Sequence, residues 1–247
     1  MQTISFYKDR LAINILADDV KNAEEIYQAA NSHACIGILS SRFESVEQGI
    51  AEVNEWKKTV PSISVGLGNG DPAQFYKAAA ISAATAPAHV NQPFTGAGYT
   101  AGLLHGSGAN NTKINAMIAP TGTLGMVLIS TGVESSKIKG TPVDVDTAIT
   151  MVKDMGVPSI KFFPMGGLDT LGELKVVASA CSKHQLEMIE PTGGIDLKNF
   201  EAIAKVSLEA GVPKVMPHIY SSIIDKESGK TRAEDVEQLL EKMRNLI

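Results

Sequence analysis

Apolar residues in this chain fall into short, nearly unbroken runs, separated by longer stretches in which apolar and polar positions recur at helical spacing. The runs cover residues 11–17, 34–39, 62–67, 87–91, 114–119, 159–163, 186–189 and 214–217, and they are rich in Val, Ile and Leu. Parallel strands covered on both faces read in this way. Helical patterns follow each run: up to residue 30, over 43–58, from Asp71-Pro72 onward, up to 104, and over 145–155, 171–183, 197–209 and 233–246. Asp71 suits a helix cap and Pro72 the first helical position. Residues 121–141 interrupt the alternation after the fifth strand and carry one short strand of their own at 126–130.

Eight strand–helix units imply right-handed crossovers and a parallel sheet. No Pro/Ser-rich linker divides them, so the pattern predicts an α/β fold, a (β/α)8 TIM barrel filling residues 1–247 as a single domain, with a short insertion after strand 5. An open doubly wound sheet is the alternative. The length of 247 residues matches the roughly 250 of such a barrel. A 44% hydrophobic and 20% charged composition excludes a disordered chain. An excess of 27 acidic over 22 basic residues argues against a nucleic-acid partner. Residues 1–10 are polar and mixed, unlike a signal peptide, and the absence of an 18-residue apolar run argues against a membrane partner. Cys35 and Cys181 sit in apolar surroundings and read as buried, reduced thiols. The expected setting is the cytoplasm.

In a barrel the chemistry gathers at the C-terminal ends of the strands. Two segments there stand out. Lys161 is the single charge inside the strand Ser-Ile-Lys-Phe-Phe-Pro, residues 159–164. Desolvation disfavours its ammonium form, and a neutral amine attacks a ketone to form an imine, an electron sink for breaking a nearby carbon–carbon bond. A lysine snorkelling to the rim, or paired with a carboxylate, is the structural alternative. The second segment, Glu-Pro-Thr-Gly-Gly-Ile-Asp at 190–196, reads as a strand end opening a helix. Gly193 and Gly194 allow close approach of an anion, Thr192 adds a hydroxyl, and the donor-rich loop at 218–222, with Ser221, follows the next strand. An ordinary glycine turn is the alternative there.

Together, Ile160-Lys161-Phe162-Phe163-Pro164 and Pro191-Thr192-Gly193-Gly194-Ile195 resemble the two signatures of 2-keto-3-deoxy-6-phosphogluconate aldolases, and the chain looks most similar to their divergent D-glucosaminate branch. The resemblance implies a class I, Schiff-base aldolase, often trimeric, that splits 2-dehydro-3-deoxy-6-phosphogluconate into pyruvate and glyceraldehyde 3-phosphate. It needs no cofactor and no metal, and its partner is a phosphorylated keto sugar acid. Lys161 matches the imine-forming lysine, and Thr192, Gly193 and Gly194 match the loop that contacts substrate and phosphate. Arg42 falls where the better-known branch keeps an arginine for the substrate carboxylate. Four residues earlier that branch has a catalytic glutamate, and this chain has Ile38. Glu190 is the first choice to carry the protons instead, His218 the second and His89 the third, with His89 also a candidate substrate contact.

Competing readings are a 4-hydroxy-2-oxoglutarate aldolase, a phosphosugar isomerase or epimerase, and a non-catalytic sugar-phosphate sensor. Gly68-x-Gly70-x-x-Ala73 and Gly96-x-Gly98-x-x-Ala101 match a loose dinucleotide pattern but lack an acidic residue about 20 positions on. The five histidines show no metal-ligand spacing. Asp18-Asp19 reads as a helix cap before a Mg²⁺ site.

Overall fold

A computed structural model describes residues 2–247. Among them, nine parallel segments form one sheet that curls into a barrel, with eight α-helices around it. The first five strands are β1 (Ile13–Leu16), β2 (Ala34–Leu39), β3 (Ile63–Gly66), β4 (His89–Val90) and β5 (Lys113–Ile118). A small antiparallel pair, β6 (Met126–Val127) and β7 (Val143–Asp144), follows, and then the barrel resumes with β8 (Ser159–Phe162) and β9 (Met188–Pro191). The helices are α1 (Val20–Ala29), α2 (Val46–Trp56), α3 (Phe75–Thr85), α4 (Phe94–Ser107), α5 (Val145–Asp154), α6 (Leu171–Lys183), α7 (Phe200–Glu209) and α8 (Ala233–Leu246).

The expected eighth strand is split into β10 (Lys214–Val215), which pairs with β9, and β11 (His218–Ile219), which pairs with β1. The break falls at Met216-Pro217, where proline has no amide hydrogen to give the ladder. Each half also reaches across to the other neighbour, through parallel bridges Leu11↔Val215 and Thr192↔His218. The interrupted strand is therefore the seam that closes the sheet, and the open doubly wound alternative is excluded.

Period-2 alternation sorts the strand residues. Ile13, Ile15, Ile36, Ile38, Ile160 and Ile189 belong to one large apolar cluster with the helices. The alternate set faces the barrel interior. At its lower end Ala12, Cys35, Ala88, Met188 and Met216 form a separate small cluster, with Ile4 and Phe6 of the N-terminal segment packed against it. Above this plug the interior turns polar: Asn14, Ser64, His89, Asn115, Ser159 and Glu190 are all fully buried.

Within the expected insertion, 121–141, the strand is shorter than 126–130: β6 covers only Met126–Val127, its partner β7 lies just beyond the insertion, and Leu128 bridges back to Ala119. Asp19 caps α1, its carboxylate accepting from the Asn22 amide at 2.7 Å, and it pairs with Lys230 at 3.0 Å. Asp71 caps a short 3-10 turn, Pro72–Gln74, that leads into α3. Gly96 and Gly98 lie within α4, where a Cβ would meet Phe75 at 2.9 Å and Met155 at 3.2 Å. They serve helix packing, which leaves no phosphate-binding turn at that place.

Candidate active site

The polar interior opens into a cavity of about 390 Å³ at the C-terminal ends of the strands. Lys161, Asn91, His218, Tyr220, Gly193 and Ser221 are among the residues that line it. The register of β8 sets Lys161 level with Met117 on one side and Glu190 on the other. Lys161 is 7% exposed, its amine donates to Asn91 Oδ1 at 2.9 Å, and the Phe163 ring centre lies 5.7 Å away. Burial lowers its pKa to about 8, against the opposing pull of the Glu190 charge. Among the described residues it is the one lysine or arginine on the cavity wall.

Glu190 lies below the cavity floor and does not line it. Oε1 accepts from Ser159 Oγ at 2.5 Å and His89 Nε2 at 3.2 Å, and Oε2 accepts from Asn115 Nδ2 at 2.7 Å and His218 Nε2 at 2.8 Å. Burial alone would raise its pKa, but His89 and His218, by charge and by hydrogen bond, hold it well below the usual carboxylate range. It is thus a fixed, ionised acceptor. Both histidines present Nε2–H to it, and at His218, which is neutral, this leaves Nδ1 as an acceptor. At His89, Nδ1 lies 2.8 Å from Ser64 Oγ, which itself accepts from Asn91 Nδ2 at 3.2 Å. At His218, Nδ1 lies 2.9 Å from the Tyr220 hydroxyl. Burial first, then the charge of Lys161, lowers the His218 pKa to about 3, so its ring is neutral.

The remaining expected residues are distributed unevenly. Thr192, Gly193, Gly194 and Ser221 line the cavity. The Thr192 hydroxyl, however, donates to the Glu190 carbonyl at 3.2 Å rather than into the cavity. His89 is fully buried beneath the wall and outside the lining set. Arg42 is exposed and also off the wall: its guanidinium donates to the carbonyls of Asp18 at 2.7 Å and Ala17 at 3.3 Å. A short 3-10 turn, Ser40–Arg42, directly after β2 turns this side chain toward the β1–α1 corner. The loop after β9 also differs from expectation, because no helix opens at Gly194. Asp196 instead caps an intervening turn through the amides of Lys198 and Asn199, and α7 starts only at Phe200.

Asn91, Asn115, Ser64, Ser159 and Tyr220 complete the cluster; the motifs give none of them a role, although Tyr220 lies in the donor-rich loop 218–222. Their signal was the alternation itself: Asn14, Ser64, Asn115, Ser159, Lys161, Glu190 and His218 are polar letters set on alternate positions of otherwise apolar runs.

A closed parallel barrel with one buried amine at the mouth of its cavity, above an ionised polar floor, is the build of a TIM-barrel enzyme, and its relatives make it a carbon–carbon lyase. The family model for KDGP aldolase matches residues 7–227, and the chain belongs to that family. It is 56% identical over 249 residues, with all of both chains covered, to the 2-dehydro-3-deoxy-phosphogluconate aldolase of Salmonella typhimurium strain 14028s. Solved structures share the fold at low identity. N-(5'-phosphoribosyl)anthranilate isomerase of Pyrococcus furiosus matches with TM-score 0.60 at 13% identity, over 96% of this chain and all of that one. Native KDPGal matches with 0.58 at 14%, over 100% and 98% of the two chains.

Proposed function

We propose that this protein cleaves 2-dehydro-3-deoxy-6-phosphogluconate to pyruvate and glyceraldehyde 3-phosphate through an imine on Lys161. The observation that carries the reading is a buried lysine with a pKa of about 8 lining the cavity, in a chain of this family. At pH 7 such a lysine is about 9% neutral, against about 0.03% for one titrating near 10.5. The amine adds to the C2 ketone, loss of water gives the iminium, and the C3–C4 electron pair flows into it as the aldehyde leaves. Protonation of the enamine and hydrolysis then release pyruvate.

Gly193, Gly194 and Ser221 are proposed to hold the phosphate. They line the cavity, and among the described residues their backbone amides donate to no protein acceptor. Positive φ at Gly193 (105°) and Gly194 (70°) shapes a turn of the kind that turns amides toward an anion. Thr192 then acts by packing rather than as a phosphate donor, and Arg42 is left out of the substrate contacts. Glu190, the first choice by sequence for the proton work, is instead the ionised anchor behind the wall that fixes the His218 ring, and His218 stands on the wall itself. His89 supports Glu190 from below.

We place the chain in the D-glucosaminate branch, in keeping with Ile38 standing where the other branch keeps its glutamate. We also read it as a cytoplasmic homo-oligomer, a trimer by that resemblance. Tyr76 and Tyr99, exposed and 5.3 Å apart between ring centres on α3 and α4, give a face on which copies could meet. Among the described residues no helix is long and apolar enough to cross a membrane.

The test couples pyruvate release from 2-dehydro-3-deoxy-6-phosphogluconate to borohydride trapping. Wild-type protein should turn over and gain a pyruvyl adduct on Lys161, and Lys161→Ala should do neither. Turnover retained by Lys161→Ala would overturn the imine.

A further inference from the structure

We propose that Tyr220 is the residue that exchanges protons with the substrate, acting through a fixed relay Tyr220–His218–Glu190. The proposal rests on the imine reading above and adds to it the group that removes the C4 hydroxyl proton and returns one to the enamine.

Three geometric facts carry it. Tyr220 and Lys161 line the same cavity, whereas Glu190 does not. The Tyr220 hydroxyl lies 2.9 Å from His218 Nδ1, and His218 Nε2 lies 2.8 Å from Glu190 Oε2, so two consecutive hydrogen bonds join the phenol through the imidazole, both nitrogens of which are engaged, to a carboxylate outside the cavity lining. The direction of the protons along it follows from the partners. Glu190 is ionised and only accepts, so Nε2 carries the hydrogen and Nδ1 offers a lone pair to the phenol.

Asn14 agrees with this direction. As placed, its Oδ1 lies 3.0 Å from the Tyr220 hydroxyl while its Nδ2 is buried with no partner. Turning the amide over lets Nδ2 donate to the Tyr220 oxygen and leaves the phenolic hydrogen for His218, with the partnerless place passing from Nδ2 to Oδ1, an acceptor.

The relay suits both halves of the reaction. In cleavage the C4 hydroxyl proton passes to the Tyr220 oxygen while the phenolic proton moves to His218 Nδ1. The C3–C4 pair becomes the enamine, and the imidazolium so formed rests on the Glu190 carboxylate. After the aldehyde leaves, the proton on Nδ1 returns to Tyr220 as Tyr220 gives its own to the enamine carbon. The relay ends as it began, and no tyrosinate forms. Burial, with Glu190 and Cys35 adding to it, raises the Tyr220 pKa well above 10, in keeping with a phenol that passes protons without losing its own.

Tyr220→Phe in the full-length chain separates this step from imine formation. Three quantities are read: pyruvyl adduct trapped on Lys161 by borohydride, deuterium entering the pyruvate methyl group in D2O, and cleavage. The expected result is adduct formation like wild type, with methyl exchange and cleavage both lowered about 100-fold or more. Methyl exchange within about threefold of wild type would overturn the proposal. If Tyr220→Phe does not trap pyruvate, 3,5-difluorotyrosine at position 220 keeps the relay and lowers the phenol's pKa. Exchange should then change by about threefold or more, and an unchanged rate again overturns it. A wild-type chain that traps no pyruvate would remove the imine itself, a distinct failure that takes this relay with it.

Discussion

The amine of Lys161 and the carboxylate of Glu190 occupy adjacent positions of paired strands, yet their environments give them opposite tasks. Burial disfavours the ammonium, so imine formation with pyruvate should accelerate about tenfold per pH unit up to pH 8 and level off above it. Rates of borohydride trapping across pH 6–9.5 measure this, and a profile still rising above pH 9.5 would contradict it. Glu190 is the reverse case. Its folded pKa is depressed, so its contribution to stability is present above the unfolded value near 4.5 and is lost as pH falls below it. Glu190→Gln places an amide against donors and should cost about 3 kcal/mol at pH 7. Denaturant melts at pH 7 and pH 4 should show the gap between variant and wild type narrowing at the lower pH.

Among the elements, the loop after β9 is the most constrained. A Cβ at Gly194 would sit 2.4 Å from the Gly167 amide nitrogen, and one at Gly193 2.9 Å from the Met165 nitrogen, both backbone atoms. Hydrogen bonds from Met165 to the Thr192 carbonyl and from Gly167 to the Gly193 carbonyl tie the two loops together. Gly194→Ala should therefore lower stability by about 2–4 kcal/mol. It should also raise KM for the phosphorylated substrate more than it changes trapping of unphosphorylated pyruvate. Equal losses in both assays would place the phosphate elsewhere.

The strands were legible element by element because their outward residues are continuous Ile, Val and Leu. The helix starts at Asp19 and Asp71 were legible because capping is local. The split of the eighth strand was not, since it depends on two different neighbours. Lys161, Gly193 and Gly194 could be read from local motifs. The committed state of Arg42 and the buried place of Glu190 could not, because both are decided by partners more than 20 residues away in sequence.

For the whole molecule, both thiols report on integrity. Cys35 and Cys181 are fully buried, and burial pushes Cys35 up to about 12 and Cys181 higher still. Native protein should resist iodoacetamide at pH 8 and react at both sites only on unfolding, so alkylation mapped by mass spectrometry should follow the global denaturation curve. Labelling of Cys35 well before that curve would mean that the lower plug of the barrel opens on its own.

The seam between β11 and β1 joins the last strand residues of the chain to the first. Asn14 and Tyr220, 206 positions apart, meet across it, and the His218 ring next to Tyr220 meets Glu190 from the other side. A nascent chain has no proton relay until residues 218–220 have left the ribosome and found β1. A chain halted between residues 161 and 218 already contains Lys161 but not the relay. Turnover by this enzyme is thus a certificate that the circle has been completed.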